Sequence, residues 1–238
     1  MKRARTYTST FAAILLSACG GGNNATPTTP SASYDLQAGI KEMVTNGLSS
    51  NVGLSGTVTV NGASTPFTGS GTFTRPAATA ATFNGTAASS QTTTIAGTVS
   101  AAGQTTSYST SVTDFYAVSD GGFLGEVSTT EYDVAQAPIL FPTMVVAGSS
   151  GNLGTLSRYT DSTMSVSLGT VQVSYSVPLA PVDPGSPIGV AVTIKIYDTQ
   201  NTLIETDVTS YTLTSGNVMS LSGASAQSQS GMLQVTAQ

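Results

Sequence analysis

The chain has 238 residues and a mass of 23.9 kDa, enough for one large domain with a sizeable core. Only 8% of residues are charged and 39% are apolar, whereas 39 Thr and 33 Ser supply nearly a third of the chain, so hydroxyls rather than charges must cover the surface. The net charge of −5, with no basic stripe, excludes nucleic acid as a partner, and the composition favours strands over long solvent-facing helices.

Lys2, Arg3 and Arg5 open the chain and lead into Phe11-Ala12-Ala13-Ile14-Leu15-Leu16. A basic start and an apolar run far shorter than the ~20 residues that span a bilayer predict a signal peptide over residues 1–18. Leu16-Ser17-Ala18-Cys19 resembles the lipobox of bacterial lipoproteins. The resemblance implies cleavage after Ala18, with Leu16, Ser17 and Ala18 recognised by the peptidase, and acylation of Cys19, which makes the membrane the expected partner. Cys19 is the only cysteine, so internal disulfides are excluded. Loss of the leader leaves four basic against twelve acidic residues, a charge of −8. By analogy with enteric lipoproteins, Gly20 after the cysteine favours passage to the outer membrane, on either its periplasmic or its outer side. Residues 19–33, rich in Gly, Asn, Thr and Pro, read as a flexible tether reaching about 20 Å.

A single all-β domain is expected over residues 34–238. Asp35 caps a predicted helix whose Leu36, Ile40, Met43 and Val44 share one face, and Asn46-Gly47 stops it. From Val52 the period becomes two, with Val52, Leu54, Gly56, Val58 and Val60 on one side, and Asn61-Gly62 turns the chain. The return strand carries Phe67, Gly69, Gly71 and Phe73 on one face. Further strands are predicted near residues 79–87, 92–100, 105–118 and 123–134. Pro138 and Pro142 argue against a central strand around Ile139-Leu140-Phe141, and a seam between two halves is placed near 135–143. Beyond it strands are predicted near 153–160, 164–177, 188–198, 203–213, 218–221 and 232–236. The loop from Pro178 to Pro187 is too rich in proline for ladder pairing. Gly-Thr pairs recur at Gly56, Gly71, Gly85 and Gly97, and glycine at similar depth in successive strands predicts strong curvature.

The expected architecture is therefore mainly β: an antiparallel curved sheet of about 10–12 strands, closed as a barrel, open as a half-barrel or folded as a sandwich, with one short N-terminal helix. It resembles the curved half-barrel of bacterial lipoprotein carriers in architecture, a likeness that carries fold and not function.

The chain has no histidine, no free thiol once Cys19 is acylated, no S-x-x-K motif and no G-x-S-x-G elbow, so the expected protein is non-catalytic, with no cofactor and no metal. Glu126, Glu131 and Asp133 sit in one predicted strand segment and are conceivable for carboxylate-dependent hydrolysis, an unfavoured reading beside that of solvated strand-face charges. With Asp114 and Asp120 they form an acidic group, but no calcium-binding motif organises it. Residues Ile139 to Phe141 and Met144 to Val146 read as a buried crossover rather than an exposed apolar lip. Two functions follow as expectations: a non-catalytic binding or structural module of the cell envelope, with a protein partner, or a carrier of a small apolar ligand. The carrier would line its cavity with Phe67, Phe73, Phe83, Leu36, Ile40 and Met43, and needs at least ~300 Å³.

Overall fold

The computed structural model describes residues 32–60, 62–179 and 185–238. Leu16, Ser17, Ala18, Cys19, most of the expected tether, Asn61 of the predicted turn and the middle of the proline-rich loop lie outside them. The helix α1 spans Leu36–Asn46, as its spacing predicts. Asp35 Oδ1 accepts from the Ala38 amide at 2.8 Å, and Gly47, at φ 79°, closes the other end by donating to the Met43 carbonyl.

Thirteen strands follow: β1 Leu48–Val60, β2 Ala63–Arg75, β3 Thr79–Phe83, β4 Thr86–Ala101, β5 Gln104–Ala117, β6 Phe123–Val127, β7 Tyr132–Ile139, β8 Ser150–Tyr159, β9 Ser167–Ser176, β10 Ile188–Tyr197, β11 Leu203–Leu213, β12 Met219–Ser228 and β13 Gly231–Ala237. All pairings are antiparallel, and the order runs β2-β1-β13-β12 and so on down to β4. Pairing of β2 with β4 closes twelve strands into a barrel, leaving β3 as an extra strand on the start of β4. Of the three architectures expected, the closed barrel is the one found. Closure joins the terminal strands of the ring, while the β5–β6 and β7–β8 ladders cover only Thr113–Tyr116 and Tyr132–Ala135.

Glycine makes the closure possible. Gly71 and Gly97 are direct register partners across the β2–β4 seam, and a Cβ on Gly97 would lie 2.1 Å from the Ser70 carbonyl oxygen. The Gly-Thr pattern thus marks close backbone approach at Gly56, Gly71 and Gly97. Gly85 is different: with Asn84 it forms a two-residue turn, both at positive φ, inside what the sequence suggested was one strand over 79–87.

The two faces of the wall divide cleanly. Exposed positions carry hydroxyls, such as Ser64, Thr68, Ser70 and Thr72 on β2 and Thr105, Ser107, Ser109 and Ser111 on β5. Cross-strand hydroxyl pairs bridge them, for example Thr92–Thr113 at 2.8 Å and Ser100–Thr105 at 2.7 Å. The inward positions supply the core: Val52, Leu54, Phe73, Leu156, Val171, Val173, Val190, Leu233 and Val235. This is the reverse of a membrane-spanning barrel, whose apolar band faces outward. No described helix is long and apolar enough to cross a membrane.

α1 lies across one end of the barrel, called the helix end below, and buries Leu36, Ile40 and Met43. It is tied to the surrounding connections on several sides. Gln37 donates its amide to the Pro142 carbonyl and its Nε2 to the Asp120 carbonyl, Tyr34 bridges Val145, and Ala78 donates to the Val44 carbonyl. The opposite end is made of the short turns between β1 and β2, β4 and β5, β6 and β7, β8 and β9, β10 and β11, and β12 and β13.

Pro138 sits inside β7, a strand that the prolines argued against. The ladder of β7 with β8 covers only Tyr132 to Ala135, so Pro138 lies where no β8 carbonyl needs its amide. The wall is hydrogen-bonded on both sides of β7 at its first residues. The crossover segment is split rather than wholly buried: Ile139, Phe141 and Val145 enter the core while Leu140 and Met144 are exposed.

Candidate functional site in the barrel lumen

Period-two alternation carries several polar side chains inward along with the apolar ones. On β2 the inward series Phe67, Gly69, Gly71, Phe73 ends at Arg75, and on β5 Asp114 and Tyr116 face in. Glu126 on β6 is the register partner of both Asp114 and Asp133, which places it between two strands bearing inward carboxylates. On β11 Glu205, Asp207, Thr209 and Tyr211 follow the same rule. The expectation that Glu126, Glu131 and Asp133 are solvated strand-face charges is therefore overturned. A tight turn between β6 and β7 folds what the sequence suggested was one strand, and Asp133 is only 1% exposed.

Two guanidiniums engage three of the six interior acids. Arg75 donates its Nε to Gln91 Oε1 at 2.6 Å and its Nη2 to Asp114 Oδ2 and to the Tyr116 hydroxyl. Gln91, 1% exposed, is fixed in turn by donating Nε2 at 2.9 Å to the carbonyls of Met43 and Pro76. The network thus links the barrel wall to the C-terminal turn of α1. Arg158, from β8, pairs with Glu131 at 2.9 Å and lies 3.9 Å from Asp133. Burial opposes the charge on Arg75, but Tyr116 and Asp114 beside it outweigh this and push its pKa up. Burial raises Asp114 above the usual carboxylate range, with Arg75 pulling the other way.

Between these groups lies a cavity of about 200 Å³, lined by Phe73, Arg75, Asp114, Glu126, Glu205 and Asp207 among others. A neighbouring space of about 90 Å³ leads toward α1 and is lined by Ile40, Met43, Tyr116 and Phe123. Glu126 is half-buried and lines both spaces. Burial first, then the charges of Asp114, Asp133, Asp207 and Glu131, push its pKa well above the ordinary value.

That shift has a sign that can be measured. A carboxyl with a raised folded pKa binds more protons folded than unfolded between its unfolded and folded values, so stability is greatest below the unfolded pKa and falls as pH rises through the folded one. The melting temperature is expected to decline as pH rises from the ordinary carboxylate range toward and past neutrality, and Glu126→Gln to flatten the decline, raising Tm by a few degrees on the alkaline side. Differential scanning calorimetry across that range checks it. An unchanged slope in the variant would show that Glu126 does not set the dependence.

The residues proposed from sequence as an apolar lining separate into three groups. Phe73 lines the larger space, and Ile40 and Met43 the smaller one. Leu36 is fully buried core, and Phe67 packs partly buried against that core farther along β2. Phe83 is not in the lumen: on the extra strand β3 it stacks on Phe115 at 4.4 Å and Tyr132 at 5.2 Å, forming a separate cluster outside the wall. Arg75, Gln91, Glu205 and Asp207 were missed. The signal for Arg75 was present, since extending the Phe67-to-Phe73 alternation by two residues reaches it.

The acidic group does not gather as calcium donors would. Asp120 lies in the connection at the helix end, Asp114 is engaged by Arg75, and Asp133 and Glu131 face Arg158. Among the described residues no group of three or more His, Cys, Asp or Glu side chains is placed to hold a metal ion. The chain matches no known protein family, and neither the curated proteins nor the solved structures contain a significant match.

Proposed function

We propose that the protein is a non-catalytic lipoprotein, anchored to the outer membrane through acyl chains on Cys19, whose barrel is a binding or structural module of the cell envelope. The observation that supports this most is the barrel itself: a hydroxyl-covered closed wall around an apolar core with a cluster of charged groups inside it, entered at the helix end by the segment that begins at Tyr34. The interior carboxylates Asp114, Asp133 and Glu131 face guanidiniums, an arrangement that serves the core and leaves them poorly placed for hydrolysis. Cys19→Ser is expected to move the protein from the membrane fraction to the soluble fraction after cell lysis. An unacylated Cys19 in the intact mass of the wild-type chain would defeat the reading.

A second reading, the carrier, is favoured by the lumen cavity but with altered ligand chemistry. About 200 Å³ falls below the ~300 Å³ of ordinary small-molecule pockets, and its walls carry Glu126, Glu205 and Asp207. An acyl chain fits this poorly; a small ligand with a cationic group fits better. Native mass spectrometry of the protein extracted from membranes separates the two. A co-purified small cationic mass favours the carrier, and protein at the mass of the acylated chain alone favours the module.

A further inference from the structure

Exposed large apolar side chains are unevenly distributed over the barrel. Val118 is 67% exposed, Met144 68% and Leu179 90%, and Leu140 and Val218 are about half exposed. All five belong to connections at the helix end: Val118 to the β5–β6 connection, Leu140 and Met144 to β7–β8, Leu179 to β9–β10 and Val218 to β11–β12. The opposite end has only Val166 and Leu203 of this kind among the described residues. Leu140 lies against Gly122 of the β5–β6 connection, and Leu179 against Gly148 of the β7–β8 connection. The side chains thus stand around α1 as a rim, within loops several of which are tied down by Gln37 of α1 and by Tyr34 just before it.

The chain enters at this same rim. Tyr34 is bonded to Val145 between Met144 and Val146, two residues after the first described residue, Ala32. Twelve residues lie between Cys19 and Ala32, and a chain of that length and composition spans about 20 Å. An anchor in the bilayer therefore holds this end nearest to the lipid surface.

We propose that the apolar rim of the helix end inserts into the lipid headgroup region, so that the barrel stands on the membrane by its helix end instead of swinging on its tether. The proposal rests on acylation of Cys19. Its chemistry is hydrophobic insertion at the interface, reinforced by the high local concentration that the tether imposes. With Lys41 the only exposed lysine or arginine near the rim among the described residues and Asp35, Glu42 and Asp120 close by, the contact draws little from anionic lipid.

The test uses the acylated mature chain reconstituted in phosphatidylethanolamine and phosphatidylglycerol vesicles. Single cysteines replace Met144, Leu179 or Val166, each labelled with an environment-sensitive fluorophore; acylated Cys19 does not react. Brominated lipids are expected to quench the probes in M144C and L179C at least about two-fold more than the probe in V166C at the far end. Equal, weak quenching at all three positions on an acylated chain overturns the rim contact and leaves the anchor intact. An intact mass showing Cys19 unmodified overturns the anchor, and the inference with it. A Met144→Ser, Leu179→Ser chain, altered only at exposed positions, is expected to retain its wild-type melting temperature while a probe placed in V118C loses most of its quenching; persistent quenching there would overturn the rim as the contact.

Discussion

Arg75→Met is expected to destabilise the barrel by about 3–5 kcal/mol, the usual cost of removing one partner of a buried ion pair. The loss goes beyond one contact. Asp114 is left buried without its guanidinium, Gln91 Oε1 loses its donor, and the Tyr116 hydroxyl loses another. Because Gln91 also holds the Met43 carbonyl, the damage reaches the end of α1. Equilibrium urea unfolding measures the cost. The double variant Arg75→Met, Asp114→Leu should recover most of it, since replacing both members of a buried pair with apolar groups is often neutral. The single variant should also improve as pH falls, because protonation of Asp114 removes the orphaned charge. A single variant within 1 kcal/mol of wild type would show that the network is dispensable.

The second large effect is expected at the barrel seam. Gly97→Ala places a Cβ 2.1 Å from the Ser70 carbonyl oxygen and 2.6 Å from Gly71 Cα, and both neighbours are backbone held in the β2–β4 ladder. Side chains can rotate away from such a clash, but a ladder can only separate. The substitution should cost about 2–3 kcal/mol, at the upper end of overpacking costs. Gly189→Ala is the matched control, since its Cβ would meet only Pro178 at 3.8 Å and alanine is favoured over glycine in a strand. It should leave Tm unchanged or slightly raised. If thermal melts show the two variants alike, close backbone approach is not what the seam glycines provide.

Much of the fold was legible in the chain because its signals are local. The Asp35 cap, the Leu36–Ile40–Met43 face and the Gly47 stop act within one helix and were found where expected. Alternation located nearly every strand, and Leu203–Leu213 was found at the bounds expected for it. The errors were also local in origin. Asn84-Gly85 was passed over inside a run of β-formers, and the turn between Glu126 and Asp133 has no Asn-Gly or Asp-Gly pair to announce it.

The candidate site was harder to read because a strand has two faces and the sequence marks the apolar one. Glu126 and Asp133 looked like surface charges in an isolated strand. Their direction follows only from register: Glu126 pairs opposite Asp114 and Asp133, on the face that Tyr116 and Leu156 share. Phe83 shows the converse. Its phenylalanine pattern resembled that of Phe67 and Phe73, yet β3 is left out of the closed wall, so its aromatic face stacks on the outside.

By itself, the sequence determined what depends on near neighbours: the hydroxyl-rich strands, the capped helix and the shortage of charge that leaves Ser and Thr to meet water. Tertiary structure decided what depends on residues far apart in the chain. It joined β2 to β4, turned six acids toward the interior with only Arg75 and Arg158 to balance them, and gathered five exposed apolar side chains around α1. The physical reason is that alternation fixes which residues share a face, whereas closure of the ring fixes which face is inside.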